Sequence, residues 1–256
     1  MISIMVRKFQ SIGKKIGFGL VSAAFWVAVW ALLSLWVDKE LFLPSPWVVA
    51  KTLWALIPTA EFWKTVGLSL LRVLIGYLPG VFLGVVGGIL TAKIKALDIL
   101  FSPLLTVVRS TPVASFIMLT LVFLGRDTVP SFIVFLMVLP ILWASVAEGV
   151  KTVDSGLKEV CSVYRLSFWR RLKILYLPHG MPYFSAGAMT ALGLAWKAGI
   201  AAEVLCTPKG SIGKMVYDAK VYLESAQVFA WTLVVVLLSL VLEGLLRLAL
   251  ERGKKK

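Results

Sequence analysis

A chain of 256 residues that is 59% hydrophobic, with a mean hydropathy of +0.91 and only 16% charged residues, is not a water-soluble globular protein; its solvent is the bilayer. The formal charge of +14 fits orientation in a membrane and contact with anionic lipid, and without a basic groove interleaved with aromatics it does not point to nucleic acid. Cys161 and Cys206 are expected on opposite membrane faces, which excludes a disulfide between them.

The N-terminal MISIMVRKFQSIGKKIG has the charge of a signal peptide. The apolar run after it is about twenty residues long and lacks a small-x-small cleavage site, so a retained first span is expected. Six apolar segments are each long enough to cross about 30 Å of hydrocarbon: Phe18 to Val37, Val66 to Ala92, Ile99 to Leu124, Val129 to Ala147, Tyr183 to Leu205 and Val228 to Leu250. Their apolar runs are continuous rather than alternating, so the fold class is an all-α membrane protein and not a barrel, with residues 1–256 forming a single transmembrane domain.

Lys and Arg concentrate on one set of ends: Arg7, Lys8, Lys14 and Lys15; Lys93 and Lys95; six residues from Lys151 to Lys173; and Arg247 onward. The opposite ends carry Lys39, Lys51, Lys64, Arg126, Lys209, Lys214 and Lys220. The heavier side is expected to be cytoplasmic, with both termini on it.

After the first span, Trp47, Trp54 and Trp63 with Pro44, Pro46 and Pro58 fit either a short helix at the outer interface or a plain connector with belt aromatics. In the second span Gly67, Gly76, Gly80, Gly84, Gly87 and Gly88 recur at about four-residue spacing, which lets helices approach closely, so this span is expected inside the bundle. Pro79 is placed to kink it. Arg72, about two turns inside this span, either snorkels outward or faces a pore. Pro103 and Pro112 bracket Arg109, Ser110 and Thr111, and a helix break is expected there. Irregular backbone at membrane depth needs a cavity or protein around it, so Arg109 lines a pathway or anchors at the interface.

Residues 148–178 form a polar, basic island between apolar runs. It reads as a short helix, a break, and a second basic amphipathic helix ending at Leu177-Pro178: the shape of a dock that takes force from a soluble partner. His179 at the following helix entrance reads as structural.

The fifth span is rich in Ala and Gly and carries Lys197 and Glu203, both costly in hydrocarbon unless they meet water or partners. Six residues of helix set them roughly 120° apart. They mark a solute path or dimer seam, or a buried structural pair with another span. The segment Thr207 to Gln227 reads as an outer amphipathic helix on which a soluble partner could rest, or as a plain re-entry loop.

No phosphate loop, H-E-x-x-H, C-x-x-C or G-x-S-x-G is present, so metal, triad and nucleotide chemistry have little to build on. A membrane-embedded enzyme would need clustered acids, histidines or a nucleophile at one depth, and only Lys197 with Glu203 comes near. A passive channel or structural subunit would leave the island without a purpose.

Glu159-Val160-Cys161, three further residues and Arg165, then the stretch to Leu177-Pro178, resemble the E-A-A-x-x-x-G loop of ABC importer permeases. The likeness covers most of the chain: Leu43 to Pro46, Ser69 to Gly76, Val108 to Pro112, Leu177-Pro178 with Pro182, Ala202-Glu203 and Gly210 to Gly213 resemble the nitrate/sulfonate/taurine branch. The resemblance implies a six-span, type I (MetI-like) permease in a prokaryotic cytoplasmic membrane, working as two copies. It also implies two cytoplasmic ATP-binding subunits and an extracytoplasmic solute-binding protein, with ATP and Mg held by the partner ATPase and no cofactor in this chain. It would place Lys158, Glu159, Val160, Cys161, Ser162, Tyr164, Arg165 and Leu166 against the ATPase. The solute classes it implies are nitrate, sulfonate, taurine, bicarbonate and vitamin precursors. Val160, Cys161 and Arg165 depart from the family's two alanines and glycine. Because arginine is strained in a left-handed turn, the turn is expected to be built differently or shifted by a residue.

Overall fold

A computed structural model describes residues 2–254, the side chains of 1–18, 20 and 253 onward excepted. The basic residues Arg7, Lys8, Lys14, Lys15 and Lys254 to Lys256, used above for orientation, therefore have side chains outside the described residues.

The described residues are helical and form α1 (Ile2–Val37), α2 (Pro46–Leu56), α3 (Ala60–Lys93), α4 (Lys95–Ser110), α5 (Val113–Phe123) and α6 (Val129–Lys151). Then come α7 (Ser155–Val163), α8 (Phe168–Arg171), a π-helical turn (Leu172–Tyr176), α9 (Leu177–Cys206), α10 (Ile212–Val221) and α11 (Ser225–Lys254). Among the described residues, Ala60–Lys93, Val129–Lys151, Phe168–Cys206 and Ser225–Arg252 are long and apolar enough to cross a membrane, and α4 with α5 passes as one span bent by 104°. The described apolar part of α1, Val21–Val37, falls short of 18 residues.

Helices overrun the apolar segments that announced them. The second span, expected over 66–92, is part of Ala60–Lys93, and the fourth, expected over 129–147, continues to Lys151. Hydropathy marks what hydrocarbon can cover, whereas backbone hydrogen bonding carries on through polar flanks. Glu61 in the first turn of α3 and Lys93 in its last have the charges that suit the helix dipole.

The chain divides into two compact units, residues 1–59 with 218–233, and residues 60–217 with 234–256. In the first, Ser34 Oγ donates to Leu43 O (2.9 Å), Trp30 Nε1 donates to Pro44 O (3.1 Å), and Ser225 Oγ donates to Leu41 O. The connector does contain a helix: α2 starts with Pro46 in its first turn, and the Ser45 side chain caps it by accepting from Val48 N.

In the second unit α3, α6 and α9 pack on one another. The glycines of α3 lie flat on α6: a Cβ at Gly80 would stand 2.8 Å from Val138 Cβ, and one at Gly84 2.7 Å from Leu142 Cβ. Larger residues would drive the helices apart, so the glycine repeat sets this seam. Tyr77 Oη donates to Ala188 O (3.0 Å), tying α3 to α9. Pro79 stays within the continuous α3. The expected break in the third span falls at Thr111 and Pro112, while Pro103 lies inside α4. Proline pushes the residue before it out of the helical region, and Thr111 has ψ 130°.

Candidate functional site

Two places on the second unit, at opposite ends of α9, gather the residues singled out above. The first is built on Glu203, in the last turn of α9 and 1% exposed. Its Oε2 accepts from Ser69 Oγ (2.8 Å) and from Gly213 N (3.2 Å), and its Oε1 pairs with Arg72 Nη1 (3.3 Å). Arg72, with 13% of its side chain exposed, also donates from Nη2 to Lys209 O (2.7 Å) and from Nη1 to Gly210 O (3.3 Å). Ile212 N donates to Ser69 Oγ (2.9 Å) and Lys214 N to Ser211 Oγ (3.1 Å). The first amides of α10 are thus all occupied, one of them by a carboxylate placed where the helix dipole favours negative charge.

Arg72, on α3, is thus clamped to α9 and to the 209–210 backbone. Glu203 takes Arg72, not Lys197, as its partner, which is the buried structural pair with another span weighed above. The reason is helical phase: Lys197 lies on the uncovered face of α9, Glu203 on the covered one. Asp127, 3.8 Å from Arg72 Nη2, is a more exposed second partner. Ser69 and Gly213 were missed as members. Their signal was two intramembrane charges of opposite sign, Arg72 and Glu203, that each needed a partner.

Arg109 sits at a different place. Its Nη2 donates to Pro140 O (2.6 Å), and it lines a cavity of about 220 Å³ with Asp98, Trp143, Glu148 and Lys151. The neighbouring hydroxyls turn back on their own helix: Ser110 Oγ and Thr111 Oγ1 both donate to Val107 O. Lys151 Nζ and Asp98 Oδ2, 3.0 Å apart, bridge α6 and α4.

The second gathering is the polar island. Glu148 to Lys151 prolong α6, and Asp154 caps α7 by accepting from Leu157 N (3.0 Å). Arg165 has φ +47°, the left-handed value. Arg165 N donates to Ser162 O (2.9 Å) and Leu166 N to Cys161 O (3.0 Å), a complete Schellman ending. The turn is neither shifted nor rebuilt: arginine takes the conformation a glycine would take. Hydrogen bonds and the packing of Leu166 against buried Val153, Cys161 and Leu175 offset the strain of about 1–2 kcal/mol.

The expected ending of the second basic helix at Leu177-Pro178 is corrected. From Phe168 to Cys206 the chain is one helix, carried past Pro178 by the π turn. Pro178 has no N–H and its ring crowds the carbonyl one turn back; the wider turn before it gives the ring room, and Leu177 N bonds back five residues to Leu172 O. Lys93 Nζ stands over the rings of Phe168 (5.3 Å) and Tyr176 (5.6 Å), and Thr152 Oγ1 meets His179 Nε2 at 3.2 Å. The corner is thereby pinned to the ends of α3 and α6. Of the residues expected to meet an ATPase, Cys161 is buried and Lys158 and Leu166 are half-buried, while Glu159, Val160, Ser162, Tyr164 and Arg165 are exposed. Both cysteines are free, Cys161 beside the π turn and Cys206 at the far end of α9.

A bundle of membrane-crossing helices, with an anchored polar corner that runs unbroken into one of them, is the build of a transport subunit. The chain belongs to the family of binding-protein-dependent transport system inner membrane components, whose model matches residues 80–255. It is thus a permease subunit of an ABC importer, a multi-pass membrane protein and not an enzyme. It is similar to a Bacillus subtilis protein named as an aliphatic sulfonates transport permease, 27% identical over 237 residues covering 91% of this chain and 85% of the relative. A nitrate import permease protein of Synechococcus elongatus is 30% identical over 212 residues, 78% of this chain and 75% of the relative. A bicarbonate transport system permease protein of the same species is 30% identical over 159 residues, 62% and 57% respectively.

Proposed function

We propose that two copies of this chain form the path of an importer for a small oxyanion of the nitrate, bicarbonate or sulfonate class, delivered by an extracytoplasmic binding protein and driven by two cytoplasmic ATP-binding subunits that hold ATP and Mg. Both termini and residues 148–178 face the cytoplasm. In this arrangement α7, with Lys158, Glu159, Val160, Ser162, Tyr164, Arg165 and Leu166, enters a groove of the ATPase.

The observation that carries the reading is the two-sided character of α7. One side is held by Cys161 in a small core, while Val160, Val163 and Tyr164 stand uncovered, Tyr164 with 75% exposure. A large apolar surface left open beside charged residues is a docking surface. Its motion has a direct outlet, because Phe168 to Cys206 is one helix packed on α6. The uncovered stripe of α9, Ala186, Thr190, Leu194, Lys197, Ala201 and Leu205, supports the two-copy path. An ammonium at mid-span cannot be left in hydrocarbon, and against a second copy it would meet water and solute. The oxyanion class rests on this cation and on the relatives' names.

The test is Glu159→Lys. ATP hydrolysis by the assembled complex should continue while uptake collapses, with the chain still present in the membrane; unchanged uptake would overturn the docking assignment. A ligand screen on the cognate binding protein identifies the solute.

A further inference from the structure

At the Glu203 end of the second unit lies a cavity of about 550 Å³ between the first turns of α3 and the segment 209–215, lined by Glu61, Lys64, Thr65, Lys209, Lys214 and Met215 among others. Two ammonium groups, those of Lys64 and Lys209, share it with the carboxylate of Glu61. No carboxylate pairs with Lys64 or Lys209 among the described residues, and the nearest buried carboxylate, Glu203, is already matched by Arg72. The 209–213 backbone cannot collapse into the space. Arg72 holds the carbonyls of Lys209 and Gly210, Ser69 holds Ile212 N, Glu203 holds Gly213 N, and Gly210 has φ +60°. With the loop amides and carbonyls engaged in this way, the side-chain ammonium groups carry the charge of the cavity.

We propose that this cavity binds a small inorganic oxyanion at the outer mouth of the permease, before it enters the membrane part. Lysine suits that ligand: its compact, strongly hydrated ammonium attracts a hydrated anion without fixing its geometry, so binding is weak enough to release. Two carboxylates near a cavity would repel an anion, and here one of them is neutralised inside the Arg72 clamp. The clamp is thus a positioning device, keeping Lys209 and Lys214 at the rim. The inference rests on the importer reading for the side of the membrane the cavity faces.

The experiment uses the permease assembled with its ATP-binding subunits in lipid nanodiscs, without binding protein, titrated calorimetrically with sodium nitrate, bicarbonate and sulfate over a chloride background. At least one oxyanion should bind saturably, Lys64→Gln with Lys209→Gln should weaken it about tenfold, the effect of removing two partly exposed charge contacts, and Lys51→Gln should leave it unchanged. Absence of saturable binding, or an unaltered double variant, would overturn the site. If the double variant loses uptake and binding-protein association while oxyanion binding is unchanged, the lysines dock the binding protein and the site is again overturned. ATP-driven uptake with the binding protein, measured on the same complex, separates the two claims. Uptake without oxyanion binding sinks the cavity alone, and oxyanion binding without uptake of any of the three sinks the importer reading alone.

Discussion

The two ends of α9 are built on opposite plans. At the Glu203 end the buried carboxylate, 1% exposed, is matched by Arg72 and held by Ser69 and Gly213. At the other end the chain keeps a left-handed arginine, a π turn and uncovered Phe168 and Trp169, the latter 76% exposed. A saturated buried network resists change because removing any member strands the rest. A strained corner with open apolar surface leaves room for a partner to dock. In the proposed importer one end of the helix would serve as a fixed point and the other as a receiving point, as a lever needs.

The hardest blow to this contrast is Glu203→Ala. It removes the buried counter-ion of Arg72, leaving the exposed Asp127, and leaves the Gly213 amide without its acceptor, so a cost of about 3 kcal/mol is expected, read as loss of folded complex on detergent extraction and thermal challenge. Glu203→Gln keeps the shape and one acceptor and should cost less. A Glu203→Ala variant as stable as the parent would remove the fixed point. Next in size is Lys197→Ala, nearer the Glu203 end of α9, which should lower solute uptake about tenfold with assembly unchanged, a loss of about 1.4 kcal/mol in the rate-limiting step. Unchanged uptake would show that Lys197 serves neither end.

What the sequence disclosed follows from how local each cause is. The α3–α6 seam was legible because glycines at four-residue spacing act wherever a partner helix lies, and α6 meets Gly76, Gly80, Gly84 and Gly88 in turn. The break before α5 was legible because Pro112 acts on its own neighbour. The Arg72–Glu203 pair was not, since 131 residues separate the two and only the packing of α3 on α9 brings them together. Helical phase alone put Lys197 and Glu203 on different faces but named no partner for either. The π turn was hidden for another reason: Pro178 usually marks a helix end, and a wider turn that lets the helix pass leaves no sign in composition. The left-handed corner was legible as a position, though not with arginine in it.

That corner supplies a smaller test. In Arg165→Gly the residue at φ +47° loses its Cβ strain but gains freedom in the unfolded chain, so a net stabilisation of up to about 1 kcal/mol is expected, seen as a higher melting temperature of the purified subunit complex. A fall instead would mean that the guanidinium, not the backbone motif, holds the turn, and the receiving end would be less strained than it looks.

The smallest effect should come from the ion pair beside the corner. Lys151 and Asp98 are 3.0 Å apart, with 46% of each side chain exposed. Water competes for both, so Asp98→Asn should cost only about 0.2–1 kcal/mol and less still at high salt. The comparison with Glu203 is direct, since both pairs join two helices through one carboxylate and one cation and differ mainly in burial. If Asp98→Asn destabilised the complex as much as Glu203→Ala, and did so regardless of salt, burial would not be what separates the two ends. The α7 end would then be a second locked joint, and motion delivered at α7 would have to enter the bundle through α8 and the π turn alone.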